Sequence, residues 1–335
     1  MFHKNNLIKF FSLMFIFVLL LSACAPAATP APAAEKQKIK VAMALPGPIN
    51  DNDFNTVGYN GLKKACEELG IEFTYVEKVA DSDVERVLRD FASRGNKLIF
   101  AHSFSYASAA LAAAKDFPDA TFMVAGSGFE LAKNMGSYDN PDYQGAYLAG
   151  MLAAGVSKTG VLGWVDGNPA PNMLANLHAF EAGAKEINPE VKVLYTFIGS
   201  WYDPPKSKEA AIAQVEQGAD VLSAQGVGVI DAAVEKKVFV IGAMTDQNHL
   251  GPEVVLTSVT WDVYPVVKAM AEAVTNGTWE SKTYAFGVKD DAVKFSDFHG
   301  LDKNIPAEVM TKVNNKLAAI KSGSFTVTLD TSEVK

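Results

Sequence analysis

The sequence predicts an α/β protein built as two Rossmann-like lobes, each a parallel sheet covered by helices. Two observations carry that prediction. Short apolar strands alternate with helical segments along the chain, the grammar of a parallel sheet buried on both faces. The alternation then restarts near residue 160, so there are two such units. The composition agrees: of 335 residues, 49% are hydrophobic, 20% charged and 10% aromatic, as in a folded globular chain.

In the first unit, Lys38–Leu45 reads as a strand, Asp53–Leu69 as a helix and Ile71–Val76 as a strand. Asp83–Ser93 (helix), Leu98–Ala101 (strand), Ser108–Asp116 (helix) and Thr121–Ala125 (strand) follow. In the second, Val161–Val165 is a strand, Asn172–Glu186 a helix, Val191–Phe197 a strand and Lys206–Glu216 a helix. Val221–Ser223 (strand), Ile230–Glu235 (helix) and Val238–Ile241 (strand) complete it. The units echo each other locally: Arg94–Ala101 and Gln217–Ala224 both run from a helix-stopping glycine into a buried strand and a small polar loop.

The N-terminal segment is read separately. Lys4 and Lys9 precede an apolar run from Phe10 to Leu21, shorter than the roughly 20 residues that span a bilayer. A basic start, a short apolar stretch and small residues make residues 1–23 a secretory signal. It ends Leu21-Ser22-Ala23-Cys24, which resembles a bacterial lipobox, with Cys24 as the lipidated residue. Residues 24–37 follow as an Ala/Pro/Thr-rich tether. The expected location is lipid-anchored at the outer face of the plasma membrane, or its periplasmic side. Cys66, on a helical segment, is expected to be a packing residue.

Several chemistries have no sequence support. The net charge of -8 offers no basic footprint for nucleic acid. Two cysteines make no disulfide framework and no cysteine-rich metal site. The first strand–helix turn, Leu45-Pro46-Gly47-Pro48, lacks G-x-G-x-x-G; there is no Gly-Lys-Ser/Thr phosphate loop and no H-E-x-x-H. No cofactor is expected, and no nucleophile–base pair stands out, so an enzyme is the weaker class.

Ligands of open α/β sheets bind beyond the carboxyl ends of the strands. The loops there supply the candidates Asn50, Asp51, Phe54 and Asn55, then Ser103 and Phe104, then Asn168, Trp201, Gln225 and Asp246. Asp53 is the expected cap of the first helix, and Asp203 before Pro204 the cap of a later one. Phe54 from one lobe and Trp201 from the other are placed to sandwich a planar heteroaromatic ligand, its edge read by the neighbouring polar groups.

Several segments together carry a family resemblance. They are the lipobox, Asn50-Asp51-x-x-Phe54-Asn55, Tyr147-Leu148-Ala149-Gly150, Ser157-Lys158-Thr159-Gly160, Gly199-Ser200-Trp201-Tyr202-Asp203-Pro204, Gln217-Gly218-Ala219-Asp220-Val221 and Thr245-Asp246-Gln247. In this order the chain resembles the basic membrane protein (BMP) family, PnrA-like substrate-binding lipoproteins of ABC importers. The resemblance implies a type I periplasmic-binding-protein fold with a three-segment hinge. It divides the chain into lobe 1 (38–155 plus about 262–290) and lobe 2 (156–261 plus about 291–335). It implies a purine-type ligand, with a membrane permease and an ATPase as separate partner chains and the receptor a monomer. Tyr143 and Gln144 lie where relatives carry a more acidic run and join the candidates, Tyr143 equally as hinge packing. Trp261, at the crossover, is either hinge packing or a third wall.

Two departures bear on the ligand. Met244 stands where nucleoside-binding members resemble an acid of the ribose-contacting set, and a lysine after Leu256-Thr257-Ser258 is missing. The expectation is therefore a nucleobase, adenine-like, ahead of a nucleoside or another flat heterocycle such as a flavin. The rival classes are a nucleoside-processing enzyme and a signalling receptor. A DNA-binding repressor of related fold is disfavoured by the lipobox.

Overall fold

The computed structural model describes residues 39–334. The predicted signal, Cys24 and the tether lie outside the described residues. In chain order the elements are β1 (Lys40–Ala44), α1 (Phe54–Leu69), β2 (Glu72–Val76), α2 (Val84–Ser93), β3 (Leu98–Ala101), α3 (Ala107–Asp116), β4 (Thr121–Ala125) and β5 (Met135–Asp139). Then come α4 (Tyr143–Val156), β6 (Val161–Asp166), α5 (Pro171–Ile187), β7 (Lys192–Phe197), α6 (Pro204–Glu216), β8 (Val221–Ala224), α7 (Val229–Lys236) and β9 (Phe239–Met244). β10 (Val255–Trp261), α8 (Tyr264–Asn276), β11 (Thr283–Ala285), β12 (Val293–Phe295) and α9 (Ala307–Ser322) close the chain.

The strands form two six-stranded sheets of matching order, β11-β5-β4-β3-β1-β2 and β12-β10-β9-β8-β6-β7. Every pairing is parallel except β10 with β12. Each sheet is a layer between two cores, because successive side chains point to opposite faces. Val41, Met43, Leu98 and Phe100 pack with α1 and α8, while Ala42, Ala44, Ile99 and Ala101 pack with α2 and α3. In the second sheet Leu162, Trp164, Val221 and Ile241 face α4, α5 and α9, and Val165, Leu222, Ala224 and Val240 face α6 and α7. A strand enclosed on both faces needs no polar alternation, so the central strands read as plain apolar runs. Cys66 is buried in the first core, where burial pushes its thiol up to about 12.

The chain crosses between the two sheets three times, at 140–142, 262–263 and 286–292. Hydrogen bonds lace these crossings together. Phe286 N–H donates to the Asp139 carbonyl at 3.1 Å and Asp262 N–H to the Ala292 carbonyl at 2.7 Å. Val288 N–H donates to Gln144 Oε1 at 3.0 Å.

One boundary shifts from expectation. Helix α4, expected in the first lobe, packs into the second core against α5. Two glycines set that crossing: a Cβ on Gly150 would lie 2.0 Å from the Phe180 carbonyl oxygen, and one on Gly183 would lie 1.9 Å from that of Tyr147. The two helix backbones therefore touch. The shift traces to β5, Met-Gly-Ser-Tyr-Asp, which shows no apolar run. It is buried because Gly136 lets the Lys282 carbonyl and the Trp279 ring close over it.

Candidate functional site

The first strand–helix turn is organised by Asp51. Its carboxylate accepts the backbone N–H groups of Asp53, Asn55 and Thr56, the Asn55 side-chain amide and the Thr56 hydroxyl. Burial pushes its pKa upward, but these donors outweigh burial and hold the carboxyl below its ordinary value. Asp51 thus satisfies the free donors of the α1 start; Asp53, the expected cap, makes no side-chain cap bond. Asn55 is buried and committed to the same loop, accepting from Gly47 N–H at 2.9 Å. Asn50 is exposed. Asp203 does cap α6, accepting from Lys206 N–H at 3.1 Å ahead of Pro204 and Pro205.

Phe54 opens α1, and its ring stacks on His102 at 4.1 Å between centroids, with Trp261 tilted against it at 5.4 Å. His102 is fully buried, and burial lowers its pKa to about 4. Its Nε2 faces the Phe54 carbonyl at 2.9 Å, which can only accept, so Nε2 carries the hydrogen. Nδ1 then accepts from the Tyr138 hydroxyl at 2.5 Å. The neutral imidazole is a fixed backing for the Phe54 ring.

Trp201 takes a different place. Its indole lies over Gly167, where a Cβ would meet it at 2.7 Å, and it remains 63% exposed. The ring contacts of Phe54 are His102 and Trp261, and Trp201 is not among them. On the first lobe Phe104 is equally exposed, set edge-on to Phe129 at 5.7 Å. Both residues stand at carboxyl ends of strands.

Beneath Trp261 lies a cavity of about 20 Å³, room for about one water molecule. Asp142, Asn176, Gln225 and Thr260 supply its polar walls, Trp261 a flat one and Met244 an apolar one. Asn176 Nδ2 donates to Asp142 Oδ2 at 2.8 Å, which turns Asn176 Oδ1 away without a partner. Trp261 Nε1 is likewise buried and unpartnered, as are both amide atoms of Asn140, which does not line the cavity. Each such atom costs about 1–3 kcal/mol unless something pairs with it. Burial raises the carboxyls of Asp142 and Asp166 to about 7 each, and each feels a neighbouring carboxylate: Asp139 at Asp142, and Asp142 at Asp166. Hydrogen bonds pull the other way, at Asp142 from Asn176 and the backbone N–H groups of Asp142 and Tyr143, and at Asp166 from Gly167 N–H and the Trp164 side chain.

Of the sequence candidates, the cavity brings together Gln225 and Trp261. Gln144 is at the hinge, holding Val288, and Tyr143 packs on the second core. Asp246 is exposed and paired with His299 at 2.8 Å. Ser103 bonds Ser105 at 2.9 Å, and Asn168 is half-buried in the loop after β6. Sequence reasoning missed Asp142, Asn176, Asn140 and Asp166. The available signals were a polar residue on the buried stripe of α5, between Met173 and Leu177, and Asn-Pro-Asp at the end of an unrecognised strand.

The two sheets also meet directly. Thr245 Oγ1, after β9, donates to the carbonyl of Asn52, after β1, at 2.7 Å. The flanking Met244 and Asn52 both take left-handed backbone conformations, φ 66° and 59°.

Comparison with known proteins agrees with this architecture. A family model described as "ABC transporter substrate-binding protein PnrA-like" matches residues 38–329. A purine-binding protein of Brucella abortus is 34% identical over 284 residues, covering 83% of this chain and 80% of that protein. An ABC transporter nucleoside-binding protein of Lactococcus lactis is 30% identical over 305 residues, covering 83% and 86%. A solved ABC transporter solute-binding protein from Conexibacter woesei superposes with a TM-score of 0.75 at 24% identity, covering 87% of this chain and 98% of that one. Among the described residues no helix is long and apolar enough to cross a membrane.

Proposed function

Because the chain belongs to the PnrA-like family of ABC transporter substrate-binding proteins, we propose that it captures a purine nucleobase between its lobes and delivers it to the permease. The family is one of substrate-binding proteins rather than enzymes, acting with permease and ATPase components at the outer side of the membrane. The observation that carries the nucleobase reading is the cavity itself. A flat indole, backed by Phe54 and His102, forms one wall, and the unpartnered Asn176 Oδ1 and the buried Asp142 carboxyl supply the polar groups beside it. Flat apolar walls with a few convergent polar groups suit a heterocycle whose edge bears N–H groups.

The cavity is too small to take a purine as it stands, so entry requires the lobes to part and the walls to re-form around the ring. A ligand that touches both lobes then shifts the hinge toward closure. Trp201 and Phe104, exposed at strand ends, are suited to cover the ring from outside. Met244, which lines the cavity, offers no partner for the hydroxyl groups of a sugar. Adenine is therefore expected to bind at least about tenfold more tightly than adenosine in calorimetric titration, about 1.4 kcal/mol. The reverse order would move the assignment to a nucleoside receptor. The Brucella relative is named for purine binding and the Lactococcus relative for nucleoside binding, so the titration discriminates between the two precedents.

The lipobox adds an anchor at Cys24 to this reading. Acyl chains contribute about 0.8 kcal/mol per buried CH₂, enough for several on one cysteine to hold the protein at the membrane. Cells expressing Cys24→Ser should release the protein into the aqueous phase of a detergent partition, whereas the wild type stays in the detergent phase. Equal partitioning would remove the anchor.

A further inference from the structure

Among its lining residues the cavity has a single ionisable group, a carboxyl, and no cation. Asp142 lines it. The titratable groups that face Asp142 are Asp139 at the end of β5, Asp166 at the end of β6, and Tyr143 beside it. The side chains that β8, β9 and β10 bring to the cavity, Ser223, Gln225, Met244, Thr260 and Trp261 among them, carry no charge. Among the described residues no lysine, arginine or histidine forms an ion pair with Asp139, Asp142 or Asp166. Burial and the neighbouring carboxylates raise the carboxyls of Asp142 and Asp166, so their protonated forms are favoured relative to free carboxyls.

Hydrogen bonding decides which atom of Asp142 is free to change. Asn176 Nδ2 donates to Oδ2, and that bond persists whether Asp142 is an acid or a carboxylate, because Oδ2 remains an acceptor in both. Oδ1, which Asn176 does not engage, is left to carry the proton, although the backbone N–H groups of Asp142 and Tyr143 also reach the carboxyl and favour its ionised form. Beside it Asn176 Oδ1, in a residue only 3% exposed, is a buried acceptor with no partner. The floor therefore offers one constant acceptor and one site that donates when protonated and accepts when ionised.

Purine edges divide along that line. Adenine presents a ring acceptor, N1, next to an amino donor. Guanine presents two neighbouring donors, N1–H and the 2-amino group. We propose that Asp142 is a protonation-dependent specificity residue, its neutral acid donating to the ring nitrogen of an adenine-type edge and its carboxylate accepting from a guanine-type edge, with Asn176 Oδ1 taking the amino hydrogen in both. This rests on the purine reading above and deepens it.

The sign follows from linkage. Adenine binding raises the Asp142 pKa, so it takes up a proton from bulk water when Asp142 starts ionised, and its affinity is lost as pH rises. Guanine binding lowers that pKa, releases a proton when Asp142 starts neutral, and gains affinity as pH rises. Burial places the free carboxyl at about 7, so the exchange falls near neutrality.

The test measures adenine and guanine affinity from about pH 5.5 to about pH 8.5 by quenching of intrinsic tryptophan fluorescence. Affinity changes by at most about tenfold per pH unit for one linked proton. The expected result is a fall of at least tenfold in the adenine-to-guanine affinity ratio across that window. Asp142→Asn, which keeps an amide beside Asn176 and cannot titrate, should flatten the ratio. Adenine titrations of the wild type in buffers of different ionisation enthalpy supply a second readout that needs no variant: net proton uptake near pH 8. A flat ratio, an unchanged slope in Asp142→Asn, or no proton uptake overturns the proposal and leaves the purine reading standing. No response to either base at any pH overturns the purine reading, and the proposal with it.

Discussion

Gly183→Val should lower the melting temperature by about 6–12 °C. At the crossing of α4 and α5, a Cβ on Gly183 would sit 1.9 Å from the Tyr147 carbonyl oxygen, against backbone rather than a side chain that can swing away. The helices must separate, and α4 then pulls from a core that also holds Trp164 and Phe180. Overpacking of this kind costs about 1–3 kcal/mol, and a collision with backbone belongs at the upper end. At roughly 2–4 °C per kcal/mol for a chain of this size, the shift follows. Ala182→Val, exposed on the same helix, is the control and should cost only a few tenths of a kcal/mol. A Gly183→Val protein that melts within about 2 °C of wild type would show that the two backbones do not touch in solution.

Trp261→Ala should weaken purine binding by about 1–3 kcal/mol, roughly 5- to 150-fold, the range of base–aromatic stacking. The indole stands at the crossing from β10 into α8, tilted on Phe54 and forming a wall of the cavity. Trp261→Phe separates its two contributions: it keeps a flat wall and removes the unpartnered Nε1–H, so a smaller loss is expected. Calorimetry on the same preparation of Trp201→Ala distinguishes floor from rim. Wild-type affinity in Trp261→Ala would exclude the cavity as the site, and a loss confined to Trp201→Ala would move the ligand to the surface over Gly167.

The two-lobe architecture was legible because its grammar is local. Strands such as Leu98–Ala101 and Thr121–Ala125 are apolar runs of the right length, and helices such as Val84–Ser93 show one buried stripe. The strands that escaped notice are those whose burial depends on distant residues. β5 contains Gly136, Ser137 and Asp139, and is enclosed only because the chain returns at 279–285. With β5 unseen, the segment after it entered only through the family resemblance, which pointed to Tyr143 and Gln144 and not to Asp142 beside them.

The site was legible in the same uneven way. Phe54 and Trp261 were identifiable as aromatics at strand–helix junctions, and they do touch. That Asp51 rather than Asp53 organises the turn depends on a backbone geometry that two acids two residues apart cannot reveal in sequence. Asn176 is separated from Asp142 by a whole helix and a strand, so their hydrogen bond exists only in three dimensions.

The three crossing segments have a mechanical consequence. Because backbone bonds tie Phe286 to Asp139 and Asp262 to Ala292, no single segment can bend without dragging its neighbours. The pair of sheets is left with one easy rotation, like a door on a long piano hinge, and twisting or sliding of one sheet over the other is resisted. A permease that reads the outer face of such a molecule meets two well-defined silhouettes, ajar and shut, rather than a continuum.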